Sequence, residues 1–314
     1  MNGYVANTDY DWYRHFLDSP PIDEVNFWRP LGTTQFRALS QGEPFIFKLK
    51  QRHDHAIVGF GTYVLFVPLT VNEAWSVFGD ANGAESLTGM WGRVTHYVIR
   101  NSGQPPRPVH HIGCILISTP TFFPSDSWVK APVDWHPNIV AGKRFDLTSG
   151  DGRRFWQECL ERARALQLPE VARENLVLLD EAVRFGKPTV VRPRLGQGGF
   201  RYLLRNTYRR CAVTGERSIP VLDAAHIIPY TNGGTHEMKN GVLLRADIHR
   251  LFDEGYVTIT PDYRFKVGDR LDSEYHNGKI YYELSGRRIW TPASPFDQPA
   301  RENLEYHSSE VFVG

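Results

Sequence analysis

Three side chains between Cys211 and Tyr256 have the types and spacing for hydrolytic chemistry: His226 in DAAHIIP, Asn240 in KNG and His249 in LLRADIHRLFD. His226 and Asn240 are 14 residues apart, and Asn240 and His249 nine. An imidazole whose ordinary pKa lies near neutrality can take a proton from water. Imidazole, amide and carboxylate donors can hold a hard or borderline divalent cation. A base and a cation together meet the needs of phosphodiester hydrolysis, which requires an activated water and a charge-stabilising centre for the leaving oxygen.

The elements that must position these groups are legible around them. VLDAAHIIP is expected as a strand ending at Pro229, YTNGGTHEMKN as a loop, and GVLLRADIHRLFDEG as a helix. That helix would place Leu243, Leu244, Ile248, Leu251 and Phe252 on one side, with Gly255 as its stop. With the flanking CxxTG, NGxLL and HxLFDxG segments, this strand–loop–helix resembles the HNH nuclease motif, also called the ββα-metal fold. The resemblance implies His226 as general base, Asn240 as a metal-holding or loop-pinning residue, and His249 as a metal ligand. It also implies one divalent metal per site, Mg²⁺ or Mn²⁺, with Co²⁺ or Ni²⁺ also suited to imidazole. Many members carry Asp or His directly before the base, where this chain has Ala225. Strand alternation puts Asp223 on the face of Ala225, so Asp223 is the expected substitute ligand, and Asp253 is a second candidate. His236 is expected to face solvent, and Asp247 to be an exposed helix residue.

The whole chain sets wider bounds. Its 314 residues suffice for one large or two ordinary domains. Apolar residues at 41% and charged residues at 23% are globular proportions. The net charge is +1, so any basic surface for nucleic acid has to be local. Cys114, Cys159 and Cys211 are far apart and form no CxxC, which argues against a disulfide framework or a four-cysteine zinc site. No window approaches the roughly 20 apolar residues that span a bilayer. The start, MNGYVANTDYDWYRHF, has no basic segment followed by an apolar run. A soluble, cytoplasmic bacterial protein with no membrane partner is expected.

In the N-terminal third, residues 1 to about 25 read as an arm or short helix. FRAL (36–39) reads as a helical turn and PFIFKLK (44–50) as a half-buried strand. HAIVGFGTYVLFVPL (55–69) is β-branched and aromatic, with Gly59 and Gly61 marking a bulge or sharp bend. NEAWSVFG (72–79) is helix-like, VTHYVIRN (94–101) and HIGCILISTPTFF (111–123) read as strands, and KRFDL (143–147) as a last strand. The sum is a small, bent β-barrel with flanking helices over about residues 25–148. Its strand order and the GEPFIFKLK…IVGFG texture resemble PUA-like domains, the superfamily of EVE, ASCH, YTH and SRA readers. The resemblance implies a pocket for a flipped-out base, which needs aromatic planes to stack on and a polar edge to pair with. Trp28, Trp128 and Trp135 are the candidate planes, and Asp134 and Asp80 the candidate edge readers.

Residues 150–188 carry two helical stripes, broken at Pro169 and stopped by Gly186 and Pro188, and read as a connector. The stretch 187–217 then holds eight basic residues (Lys187, Arg192, Arg194, Arg201, Arg205, Arg209, Arg210, Arg217) against one acid, Glu216. Arg201, Arg205 and Arg209 would share one helix face, a footprint for DNA phosphates. GQGG (196–199) lacks the GK[ST] of a phosphate loop and reads as a flexible loop. Residues 256–271 read as a hairpin, 278–290 as further strand, and 299–312 as a terminal helix, with His307 and Glu310 surface or structural.

The expectation is an α+β protein: a PUA-like (EVE/SRA-type) modified-base recognition domain over 1–150, a helical linker over 151–188 and an HNH endonuclease domain over 189–314. The layout resembles bacterial modification-dependent restriction endonucleases. That resemblance implies double-stranded DNA carrying 5-methylcytosine or 5-hydroxymethylcytosine as target, with a homodimer as one route to double-strand cleavage. Two alternatives remain: a sequence-specific or homing-type HNH nuclease indifferent to modification, and a non-catalytic reader, to which Ala225 lends support.

Overall fold

A computed structural model of the chain describes residues 1–32, 34–136, 138–185 and 196–314. Lys187, Arg192 and Arg194 of the basic tally, the stop at Gly186 and Pro188, and the expected boundary at 188/189 lie outside the described residues. Contacts divide the chain into two units, Met1–Leu195 and Gly196–Gly314.

The first unit is built on β1 (Asn2–Asn7), β2 (Glu24–Arg29), β3 (Pro44–Lys48), β4 (Ile57–Thr70), β5 (His111–Phe122) and β6 (Gly142–Asp146). Among the described residues these form one open sheet in the order β2-β5-β4-β3-β1-β6, with β1 and β3 parallel and the other pairs antiparallel. The expected closed barrel is therefore not formed, because β2 and β6 are edges that do not pair. Bending is present all the same. Register shifts at Phe60/Thr62 and Tyr63/Leu65 break the long β4, and Gly59 sits at φ +151°, where an added Cβ would stand 2.2 Å from the Thr121 carbonyl oxygen. Residues 1 to about 25, expected as an arm or a short helix, hold both β1, which lies inside the sheet between β3 and β6, and a short helix over Tyr10–Leu17.

Both faces of the sheet are covered. On β3, Phe45 and Phe47 point into an aromatic cluster with Trp12, Tyr13 and Phe16 of α1 (Tyr10–Leu17). Ile46 points the other way, toward Phe155, Trp156 and Cys159 of α4 (Gly150–Ala165) and Leu176 and Leu179 of α5 (Glu170–Phe185). β3 is thus buried on both sides rather than half-buried, and the expected connector helices are part of this unit's core. Between β4 and β5 lie α2 (Val71–Phe78), opened by a Thr70/Glu73 capping box, and α3 (Leu87–Ser102). α3 replaces the strand expected over 94–101. Ser86 caps it, Gly103 closes it, and Met90, Val94 and Val98 bury one face at four-residue spacing, which outweighs the β-propensity of VTHYVI.

The second unit holds α6 (Gln197–Tyr208), β7 (Leu222–His226), β8 (Gly241–Arg245), α7 (Ala246–Asp253), β9 (Val257–Ile259), β10 (Phe265–Val267), α8 (Arg270–Tyr275), α9 (Lys279–Tyr282) and α10 (Arg301–Tyr306). β7 and β8 pair antiparallel, with His226 opposite Gly241 and Asp223 opposite Leu244. The first half of the expected motif helix is therefore strand. Val242, Leu243 and Leu244 are fully buried, and periodicity alone does not distinguish a short buried strand from a helix. β9 and β10 form the expected hairpin, whereas 278–290 carries α9 instead of a strand. GQGG opens α6 rather than forming a loop.

Candidate functional site

β7, β8 and α7 bring the chemistry-bearing residues together. β7 presents Asp223 and His226 at half-buried positions, and α7 presents His249. α6 lies close over the strand pair. Phe200 stacks on the His226 ring at 4.3 Å with 16° between planes. Gly241 makes that approach possible, since a Cβ there would meet Leu204 at 2.6 Å and Phe200 at 2.7 Å.

His226 Nε2 lies 2.9 Å from His236 Nδ1, and His236 in turn stacks on Tyr230 at 4.7 Å and 12°. The solvent-facing placement expected for His236 is thus corrected: it is half-buried and partners the central histidine. Burial pushes the His226 pKa down to about 4, with the neighbouring His236 and His249 adding to the effect. His226 is accordingly a neutral imidazole at physiological pH and can accept a proton.

His249 stands between two carboxylates. Its Nδ1 is 3.5 Å from Asp223 Oδ2 and its Nε2 3.2 Å from Asp253 Oδ2. Partial burial raises the Asp253 pKa, the His249 ring lowers it and the Asp223 carboxylate raises it again. Two carboxylates close enough to repel, with an imidazole between them, suit a divalent cation chemically. The donors do not form a closed shell: among the described residues no group of three or more His, Cys, Asp or Glu stands ready to hold a metal ion. Because the two carboxylates face opposite ring nitrogens, the fit is one carboxylate and one nitrogen on the cation, with the second carboxylate orienting the imidazole through its other N–H.

Asn240 is 2% exposed and is not part of that cluster. Its Oδ1 accepts from the Ile228 N–H at 2.8 Å, and its Nδ2 donates to the carbonyls of Ile228 and Thr235, each at 3.0 Å. Of the two roles expected for it, this geometry fits loop pinning and leaves no free oxygen directed at His249. Asp247 is held by Arg245 at 2.7 and 2.8 Å and by the Tyr281 hydroxyl rather than standing free.

The three arginines do not share an exposed stripe. α6 ends at Tyr208, and Arg209 turns into the left-handed region at φ +54°, exposed. Arg205 faces inward, donating from Nη2 to the Leu222 carbonyl at 3.3 Å, while its buried Nε has no hydrogen-bond partner among the described residues. Burial and the charge of Arg201 lower its pKa, and Asp223 opposes them.

In the first unit, a cavity of about 980 Å³ opens beside β2 and α3. Trp28 lines it, with Nε1 donating to the Asn82 carbonyl at 3.0 Å. Tyr97 also lines it and donates to Asp9, a residue that caps α1 with its other oxygen. Arg29, Lys50, Arg52, Arg93 and Arg100 also line it, with the acids Asp9 and Asp11. Trp128 and Trp135 are elsewhere. Trp128 packs against the core and donates to the Tyr13 hydroxyl at 3.1 Å, and Trp135 lies under Lys48 Nζ at 4.2 Å. Asp134 is exposed and paired with Lys143, and Asp80 is exposed in a short turn after α2. Of the expected base-binding residues, only Trp28 lines the cavity. Tyr97 and Asp9, which the sequence reading missed, carried no local signal because 88 residues separate the two partners in the chain.

Residues 211–260 match the family described as HNH endonuclease. No curated protein matches the chain. Among solved structures, the ASCH protein from Zymomonas mobilis is similar with a TM-score of 0.29 and 10% identity, over 56% of this chain and 93% of that one. A structure described as the modification-dependent TagI restriction endonuclease is similar with a TM-score of 0.30 and 11% identity, over 98% of this chain and 81% of that one. The matched stretch contains β7, the Asn240 loop, β8 and α7, and so the chain carries an HNH endonuclease domain. It is a DNA endonuclease, of a class that uses a divalent metal. Among the described residues no helix is long and apolar enough to cross a membrane.

Proposed function

We propose that the chain is a modification-dependent endonuclease, in which a PUA-like reader within residues 1–150 takes a modified cytosine from double-stranded DNA. The HNH domain within 189–314 then hydrolyses a nearby phosphodiester, and α4 and α5 back one face of the reader's sheet. The observation that carries the nuclease half is the neutral His226 beside the Asp223–His249–Asp253 cluster. His226 takes a proton from water, the resulting hydroxide attacks phosphorus in line, and the 3′ oxygen leaves. A divalent cation, Mg²⁺ or Mn²⁺, would be held by His249 and Asp223 and would supply Lewis-acid stabilisation of the charge on the phosphate. Asp253 orients the His249 ring, and Asn240 fixes the loop that follows His226. Arg201 and the exposed Arg209 supply positive charge for the DNA backbone, with the inward-facing Arg205 adding to the local field rather than to the contact.

The Trp28 cavity supports the reader half. A flipped base needs an aromatic plane, and Trp28 offers one; it needs a polar edge, and the Tyr97–Asp9 pair offers one; its flanking phosphates need cations, which Arg29, Arg93 and Arg100 supply. The substrate in this reading is 5-methylcytosine or 5-hydroxymethylcytosine in DNA, encountered in the bacterial cytoplasm. A second copy of the chain supplies the second cut of a double-strand break.

The test is cleavage of matched plasmids, unmodified, 5-methylcytosine and 5-hydroxymethylcytosine, with Mg²⁺ or Mn²⁺, by the wild type and His226→Ala. Cutting confined to modified DNA and to the wild type is the expected result. Equal cutting of all three DNAs removes the reader half, and undiminished cutting by His226→Ala removes the catalytic assignment.

A further inference from the structure

The histidine pair His226–His236 carries an inference that rests on His226 being the general base. A neutral imidazole has one ring proton, and the 2.9 Å contact between His226 Nε2 and His236 Nδ1 admits one hydrogen between the two nitrogens. If His236 donated, His226 Nε2 would be occupied as an acceptor and the single proton of His226 would sit on Nδ1. Neither nitrogen could then receive a proton from water. If His226 donates from Nε2, its Nδ1 keeps a lone pair and the ring is a base. Only the second arrangement is competent.

We infer that His236 is the positioning residue of the base: its Nδ1 accepts the Nε2–H of His226, holds that ring in the Nε2–H tautomer and aims Nδ1 at the nucleophilic water. The partner of one ring nitrogen decides where the proton of the other resides, as with the carboxylate behind a catalytic histidine in other hydrolases. Two aromatic surfaces fix the pair. Phe200 lies against the His226 ring and Tyr230 against the His236 ring, with interplanar angles of 16° and 12°. Asn240 fixes the chain between them, holding Ile228 and Thr235 through its amide.

The step balances. A water O–H bond breaks, an N–H bond forms at His226 Nδ1, and the oxygen pair left behind makes the new bond to phosphorus as the bond to the 3′ oxygen breaks. That oxygen takes its proton from solvent. The cationic His226 then donates a charge-assisted hydrogen bond to His236 Nδ1, stronger than the one it made at rest, so His236 stabilises the state that follows proton transfer more than the state before it.

Two variants of the full-length protein test this. His236→Phe keeps a ring to stack on Tyr230 but has no acceptor. His236→Asn places an amide oxygen close to where Nδ1 stood. With Mn²⁺ present and modified plasmid as substrate, His236→Phe is expected to lower kcat about 10- to 100-fold, with KM within about twofold and an unchanged melting temperature. His236→Asn is expected to recover most of that loss. Nitrogen-15 NMR of the resting wild type should show His226 as the Nε2–H tautomer, and His236→Phe a mixture of tautomers. An undiminished kcat in His236→Phe, or an Nδ1–H tautomer of His226 in the wild type, would overturn the inference. The NMR measurement needs neither substrate nor metal, so it separates failure of this pairing from failure of the base assignment, which undiminished cleavage by His226→Ala would reveal.

Discussion

Asn240 grips Ile228 by both ends of its peptide environment: Oδ1 takes the Ile228 N–H at 2.8 Å and Nδ2 gives to the Ile228 carbonyl at 3.0 Å. The two residues are 12 apart in the chain, so one side chain closes the loop that leaves β7 just after His226. Nδ2 also gives to the Thr235 carbonyl, and Asn303 makes a fourth hydrogen bond to this side chain, to Oδ1 at 3.3 Å. A buried amide satisfied in this way pins the loop much as a backbone hydrogen bond would.

Asn240→Asp replaces a donor with an acceptor and points it at two carbonyls. We expect a loss of about 2 kcal/mol in unfolding free energy, from unmet hydrogen bonds in a buried place. The metal concentration for half-maximal cleavage should stay within about threefold of the wild type. Denaturant melts and a metal titration of activity measure the two effects, and a large shift in the second would return Asn240 to the ligand set.

The Asp223–His249–Asp253 cluster predicts metal-dependent stability. A cation that binds only the folded state stabilises by about 2.7 kcal/mol at a hundredfold excess over its dissociation constant. Mn²⁺ should raise the melting temperature of the wild type, and chelation should abolish cleavage. His249→Ala and Asp223→Asn should lose both effects, whereas Asp253→Asn, which removes only the carboxylate on the far ring nitrogen, should weaken metal affinity by about 10- to 100-fold. Equal and complete losses in all three variants would place Asp253 on the metal itself.

Two neutral histidines predict acid sensitivity. His307 is 1% exposed, accepts from the Thr258 hydroxyl at Nδ1 and donates from Nε2 to the Phe252 carbonyl. Burial pushes its pKa down to about 4, as it does that of His226. Both values lie below the unfolded value near 6.5, so the unfolded chain binds more protons and stability falls as pH drops from about 6.5 toward 4. The loss for His307 is up to about 3 kcal/mol. Urea melts at pH 7, 5.5 and 4.5 measure it, and His307→Gln, which is not protonated, should flatten the dependence.

Trp28 and Trp128 predict opposite phenotypes. Trp28→Ala removes a plane from the cavity and should weaken binding to modified DNA by about tenfold or more, since base–aromatic stacking contributes about 1–3 kcal/mol. Trp128→Ala removes core packing and a hydrogen bond to Tyr13, so it should cost about 3 kcal/mol of stability and leave affinity unchanged at temperatures where the protein is folded. Binding isotherms and thermal melts on both variants distinguish them.

How much of this was legible depends on the range of each determinant. The order His226, Asn240, His249 needs only local chemistry and spacing, and a turn rich in Gly and Asn followed by an amphipathic run marks its elements from nearby residues alone. Asp223 was reached by strand alternation, and it does face His249. The boundary within GVLLRADIHRLFD was not legible, because the short apolar run of Val242, Leu243 and Leu244 suits a buried strand or the first turn of the following helix equally well until a partner strand is in place. In the first unit, the aromatic, β-branched character of β3, β4 and β5 was enough to predict strands, but not whether the sheet closes. Closure depends on whether β2 and β6 meet, and those edges are more than 110 residues apart. The side chains around the chemistry were decided by tertiary structure alone. His236 in its loop has no period to report its direction, and it faces His226 only because Asn240 folds that loop back. Trp28, Trp128 and Trp135 are alike in sequence and differ only in whether the sheet turns them toward the cavity or into the packed core. Local sequence determined which chemistry was available; long-range packing decided which groups meet, because the contacts that orient them join residues far apart in the chain.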